Sequence, residues 1–369
     1  MSSLDAFARA LFVEPAPSST CWRPLAFRLL AGEWERFERL CQQHHVDLID
    51  CIDRQLVDLA AVRFPSSPSE RERFAERASA GCGGRAFYGK WVYLPWQRTV
   101  AHLLEKDEYF EVITNRNQDK ITHEEQRLLR TKRVGVIGLS VGGEAAVTVA
   151  QEHLCGEMVL ADFDRLDLSN LNRLGAGFDD LGRGKAVIVA RRIVKVDPYL
   201  ELELFENGLT TENLDAFFDG LDLVIEECDD LRMKHAVRVE AKKRGVNLVF
   251  AADERGFLSV EPYAHHPELR TFHGRVEASP LPRETFPTPL AFMKVLTAWM
   301  GGWDRISSRS QRSLERIGDT LCGYPQLASE ARYAAGQVGH VARRLLLGER
   351  LRPFIGNIDC CHVLAMNSP

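Results

Sequence analysis

The stretch from Arg133 to Asp230 constrains the fold of this chain more than any other, because short apolar runs within it end repeatedly in glycine or acidic clusters. It opens with VGVIGLSVGGEAAVTVA, passes through DFDRLDLSNLNR and closes with DLVIEECDD. Strand-length apolar runs separated by helix-length segments predict βαβ units and a parallel sheet. Polar clusters at the carboxyl ends of such strands are where open α/β sheets bind ligands, so the stretch predicts a nucleotide-using enzyme.

The first unit is a strand from Arg133 to Gly138 and a helix running from Gly142 to about His153. Between them Gly138, Ser140, Gly142 and Gly143 form a turn in which glycine lets backbone N–H groups approach a phosphate. Ser140 stands where the usual pattern has its second glycine, so the turn alone is weak evidence of any particular cofactor. The second strand, Met158 to Ala161, delivers Asp162 and Asp164, and Asp162 is suited to ribose hydroxyls. An NAD-dependent oxidoreductase would need no more. This chain adds Ser169, Asn170 and Arg173 in SNLNR, Lys185 in DLGRGKA, and Asp229 and Asp230 after the strand Leu223 to Glu226. Two further cations and a second carboxylate suit a triphosphate with Mg²⁺, in which cations offset phosphate charge and a carboxylate holds the metal.

Further units continue the pattern. A helix from Lys185 to Val196, the strand LELELF, a short helix from Thr211, a helix from Asp230 to Arg244 bearing Lys234 and His235, and the strand NLVFAA from 247 are expected in turn. Residues 253 to 263 then leave the nucleotide half, and the remainder reads as a helical cap with frayed last ten residues. On the amino-terminal side, apolar spacing through Trp34, Phe37, Val46, Ile49 and Leu56 predicts helices as far as Pro65. Residues 65 to 85 read as a linker, YGKWVYLPW as a strand or edge segment, and Thr122 with Glu125 as a capping box opening a helix at His123. Arg116 is expected on a loop before the main domain. The domains are therefore 1–110, mainly helical; 111–265, nucleotide-binding; and 266–369, the cap.

Charge narrows the partners. The 47 basic and 52 acidic side chains are interspersed, giving no basic stripe for nucleic acid. No apolar stretch approaches bilayer length, so a soluble, cytoplasmic protein is expected. The nine scattered cysteines include no Cys-x-x-Cys pair and read as free thiols rather than zinc ligands.

The combination of DFD, SNLNR, the spaced Lys185 and CDD resembles the ubiquitin-activating-enzyme-like adenylyltransferases, the ThiF, MoeB and HesA relatives, over roughly residues 115 to 265. NRNQDKIT, GLSVGG and EECDDL look most like its bacterial Rv1355c-like branch, in which the domain can be fused to a nitroreductase-like region; no such second half is evident here. The resemblance implies a Rossmann-like, mostly parallel sheet and ATP-dependent activation of a carboxylate as an acyl-adenylate. It implies that Asp162 binds ribose, that Asn170, Arg173 and Lys185 contact the triphosphate, and that Asp230 holds Mg²⁺, with Asp229 as runner-up. Arg116 matches an arginine that reaches into the partner's site, implying a homodimer. The substrate implied is a peptide, the C-terminus of a ubiquitin-like carrier protein or a small acid. The crossover stretch after Ala251 has no cysteine where thioester-forming members carry one, which favours a route without an enzyme thioester. A non-catalytic scaffold is disfavoured because every motif residue is present.

Overall fold

A computed structural model describes residues 3–12, 21–81, 83–276 and 288–360. Cys82, Cys361 and the expected fraying from 361 onward lie outside the described residues. The chain divides into two compact units, residues 1–123 with 194–199, and residues 124–193 with 200–369.

The first unit mixes helices and strands. It contains α1 (Ser3–Phe12), β1 (Leu25–Phe27), α2 (Trp34–Gln43), β2 (Asp47–Asp50), α3 (Ile52–Arg63), α4 (Pro68–Gly81), β3 (Lys90–Leu94), β4 (Thr99–Leu103) and α5 (Lys106–Thr114). The four strands form a sheet in the order β1-β3-β4-β2, with β2 parallel to β4 and the other pairs antiparallel. Phe7, Phe27, Phe37, Trp91 and Tyr93 fill its core, the Phe7 and Phe27 rings stacking at 4.8 Å. The helical spacing through Val46 and Ile49 is thus overruled: His45 takes a positive φ of 51°, ends α2, and frees Asp47–Asp50 to pair with β4. The aromatic run lies inside this sheet, not at its edge. The expected linker is largely the helix α4, because Phe74 on it packs against the cluster of Ile52, Leu56 and Leu59. Tertiary packing outweighs a polar composition there.

The second unit begins with α6 (His123–Leu129), whose start the capping-box pattern anticipates. It continues through β5 (Arg133–Ile137), α7 (Val141–Gln151), β6 (Glu157–Ala161), α8 (Lys185–Val196), β7 (Glu201–Phe205), α9 (Leu214–Phe217) and β8 (Leu223–Glu226). Then come α10 (Leu231–Arg244), β9 (Asn247–Ala252), β10 (Phe257–Glu261), α11 (Pro289–Trp299), α12 (Ser308–Leu314), α13 (Ala328–Leu346) and β11 (Phe354–Asn357). Seven strands form one sheet in the order β11-β10-β9-β8-β5-β6-β7. The five from β7 to β9 run parallel, while β10 and β11 are antiparallel additions.

The central strands are apolar along their whole length because helices cover both faces of a parallel sheet. Val134, Val136, Val159, Leu160, Val224, Ile225, Leu248 and Val249 are all fully buried. Each such side chain contributes about 1.5–3 kcal/mol relative to exposure. Successive strands step from β5 through β6 to β7 on one side and to β8 and β9 on the other. The reversal places a crevice at the carboxyl end of β5, which is the topological switch point where ligands bind in such sheets. The region after Arg270 is helical as expected, but β11 returns to the sheet and pairs Phe354 with Val260. So short a strand shows no periodicity in sequence.

Candidate nucleotide site

The turn after β5 is shaped by its neighbour. Gly138 has φ of 78°, and a Cβ there would stand 2.5 Å from the Glu227 carbonyl oxygen. A Cβ on Gly142 would lie 3.2 Å from the Glu227 side chain. Part of the glycine signature therefore serves close approach to the β8 exit. Ser140 occupies the N-cap position of α7, and its backbone oxygen accepts the Gly143 N–H at 3.2 Å.

Asp162 binds this turn to the end of β6. Its Oδ2 accepts the Leu139 N–H at 2.5 Å and its Oδ1 the Asp164 N–H at 2.7 Å. Burial raises the Asp162 pKa; the two backbone donors and Lys185 pull the other way. Each oxygen keeps a further lone pair, so ribose hydroxyls can still donate to it. Lys185 opens α8, is almost buried, and places Nζ 2.7 Å from Oδ2 of the exposed Asp164. An opening lined by Leu139, Leu166, Leu174, Ala176 and Ile188, with Lys185 and Arg192 among its walls, adjoins the glycine turn.

SNLNR is a short 3₁₀ turn. The Asn170 Oδ1 accepts the Asp167 N–H at 3.1 Å, which makes Asn170 half of a capping box, and the Ser169 carbonyl accepts from Arg173 at 3.3 Å. Arg173 also donates to Asn172 at 2.9 Å, while its buried Nε has no partner among the described residues. Burial lowers the Arg173 pKa, and the charges of Asp253 and then Asp229 oppose that. Glu144 fixes the following loop, taking Arg192 at 2.7 and 3.0 Å and the Gly175 N–H at 2.7 Å.

The two aspartates after β8 have different situations. Asp230 is the N-cap of α10, its Oδ1 accepting the Met233 N–H at 2.6 Å. Asp229 is exposed, has no such bond, and acts electrostatically on Arg173. Capping thus occupies one oxygen of Asp230, the metal ligand the sequence reading prefers, and orients its side chain along the helix. Beneath the turn lies a buried ion cluster that motif spacing did not reveal. Glu226 accepts from Lys234 at 3.0 and 3.1 Å, from Arg238 at 2.5 Å and from the Cys228 N–H at 2.9 Å. Arg238 reaches Glu261 at 2.8 Å, and Tyr263 donates to the same carboxylate. Burial pushes the Cys228 thiol well above its usual range.

Two further carboxylates follow β9. Asp253 is 7% exposed and burial pushes its pKa up to about 6; Glu254 is saturated by Ser307, Ser310 and Tyr324. Their signal in sequence is only a polar pair at a strand end. Among the described residues no three His, Cys, Asp or Glu side chains gather as a metal cluster. Arg116 belongs to the first unit, exposed on the 3₁₀ turn Asn115–Asn117. No helix among the described residues is long and apolar enough to cross a membrane.

Residues 114–287 match the profile of the ThiF family. The chain is 41% identical over 277 residues to an uncharacterized protein of Mycobacterium tuberculosis, an alignment covering 73% of this chain and 38% of the relative. It is 31% identical to a sulfur carrier protein adenylyltransferase of Thermus thermophilus, over 43% of this chain and 58% of that one. It is 33% identical to a tRNA threonylcarbamoyladenosine dehydratase of Bacillus subtilis, over 37% of this chain and 54% of that one. The chain thus spans less than two thirds of the length of each.

Proposed function

We propose, from the ThiF-family domain at residues 114–287, that the chain is an ATP-dependent adenylyltransferase that activates a carboxylate. The observation behind this reading is the meeting of Asp162, Lys185, Arg173 and Asp229 around the switch point of a parallel sheet, cation and carboxylate together beside a glycine turn. A hydride-transferring NAD site has no use for that pairing.

In this reading Asp162 and Asp164 receive the ribose, and the turn at Gly138, Ser140, Gly142 and Gly143 the phosphates. Lys185 exchanges its bond with Asp164 for phosphate oxygens. Arg173, Asn170 and Ser169 meet the phosphates from the other side. The donor set fits Mg²⁺, which takes one or two carboxylates together with substrate phosphates and needs no all-protein cage. Asp229 would hold it with an Asp230 oxygen as second ligand, and the bound ion would offset charge on the departing pyrophosphate. The carboxylate substrate is already ionised at neutral pH, so the chain's part is orientation and charge neutralisation rather than proton removal. The acyl group comes from a peptide, a carrier-protein C-terminus or a small acid. No enzyme thioester is expected, since the crossover stretch after Ala251 carries no cysteine. A homodimer with Arg116 acting in trans completes the site.

ATP–pyrophosphate exchange stimulated by pools of synthetic peptides with free C-terminal carboxylates tests the reading. Exchange that disappears in Lys185→Ala is the expected result. Tight NAD binding indifferent to Lys185→Ala would overturn it.

A further inference from the structure

The end of β9 presents two adjacent buried carboxylates that differ in one respect. Glu254 accepts the Ser307 N–H at 2.7 Å, the Ser310 hydroxyl at 2.6 Å and the Tyr324 hydroxyl at 2.6 Å. Asp253 is 7% exposed and its carboxylate takes a hydrogen bond from the Gln326 side chain, while its Oδ2 has no hydrogen-bond partner among the described residues. A buried carboxylate oxygen without a donor is costly, and a catalytic role is one of the explanations such an exception admits.

Position says which substrate. Asp253 directly follows β9, and β9 lies beside β8, whose exit bears Asp229. Asp253 and then Asp229 act electrostatically on Arg173, so the two strand ends bear on the same arginine. Charge says which nucleophile. Asp229 and Glu330 set negative charge near Asp253, opposed by the Gln326 hydrogen bond and then by the Arg173 cation. An anionic wall attracts N–H donors and keeps thiols protonated.

We propose that Asp253 is a catalytic residue for a second half-reaction in which an amine attacks the acyl-adenylate to give an amide. This rests on the adenylation reading above. The amine nitrogen uses its lone pair to form a bond to the acyl carbon while hydrogen-bonded to Asp253 Oδ2. The bond from the acyl carbon to the phosphate oxygen then breaks, its electron pair leaving with AMP. The proton lost by nitrogen passes to Asp253 and on to solvent, and the step needs no oxidant or reductant.

The test uses the full chain and its Asp253→Asn and Asp253→Glu variants, with ATP, Mg²⁺, the peptide pools and propylamine or 1-propanethiol as acceptor. Exchange reports the first half-reaction and mass spectrometry of the propylamide the second. We expect Asp253→Asn to keep exchange while propylamide formation falls at least roughly 10²-fold, the usual contribution of a positioned base. Asp253→Glu should recover part of it, and propanethiol should give no enzyme-dependent thioester. Undiminished propylamide formation by Asp253→Asn overturns the inference, as does loss of exchange in both variants. Absence of exchange in the unaltered chain instead overturns the adenylation reading, and the inference falls with it.

Discussion

Asp253 costs the fold stability at neutral pH, because burial holds its carboxyl at about 6 against 3.8 for the unfolded chain. A carboxyl whose pKa rises on folding stabilises the fold while protonated, and that contribution fades as pH climbs through this interval. The loss by pH 8 is on the order of 3 kcal/mol. Urea denaturation should therefore find Asp253→Asn more stable than the unaltered chain at pH 8, with the difference vanishing near pH 4. The aspartate pair after β8 separates just as cleanly. Asp229→Ala is expected to reduce exchange by about 10²–10³-fold with no change in unfolding, as loss of a charge-stabilising group does. Asp230→Ala should lower stability by about 1 kcal/mol through loss of the cap. Equal loss of exchange in the two variants would count against the division of roles.

At the scale of elements, the β8–α10 turn is held from both sides. Glu226 accepts the Cys228 N–H within the turn, and Glu227 accepts the Ala251 N–H of β9. Arg238 joins Glu226 to Glu261, at the end of β10, while lying 4.3 Å from the Phe272 ring. Removing the cation leaves buried Glu226 with Lys234 as its remaining cation and buried Glu261 with only the neutral donors Tyr263 and Phe272, so Arg238→Met should cost about 3–5 kcal/mol in denaturant titrations. Gly138→Ala tests the other wall of the crevice. Its positive φ and the Glu227 carbonyl predict a loss of about 1–3 kcal/mol and weaker ATP binding, measured by calorimetry. The glycine turn, Asp162 and Lys185 were legible because their constraints are local: a turn, a strand end, a helix start. The Glu226–Arg238–Glu261 cluster was not, since it joins positions that meet only when β10 folds back beside β9.

For the whole molecule, the trans role proposed for Arg116 makes a prediction that no single chain can satisfy. Arg116→Ala and Lys185→Ala should each abolish exchange alone, yet mixing them should restore it, because a mixed dimer has one site with both residues. Mixing without recovery, in a preparation shown to be dimeric, would place Arg116 in its own chain's site or outside catalysis. The two units also differ in how they were read. The parallel sheet was foreseen because its strands announce themselves as apolar runs, whereas the first unit's sheet was hidden under helical spacing until His45 broke the helix.

The sequence by itself determined the parallel sheet, its switch-point turn and the residue types of the proposed nucleotide site, because periodicity and strand-end chemistry are local properties. Only the tertiary structure decided which aspartate caps a helix and which does not, and that Asp253 lies buried with one oxygen unpaired among the described residues. Those distinctions depend on which groups approach from distant strands, and hydrogen-bond partners brought together by folding leave no mark in the spacing of residues along the chain.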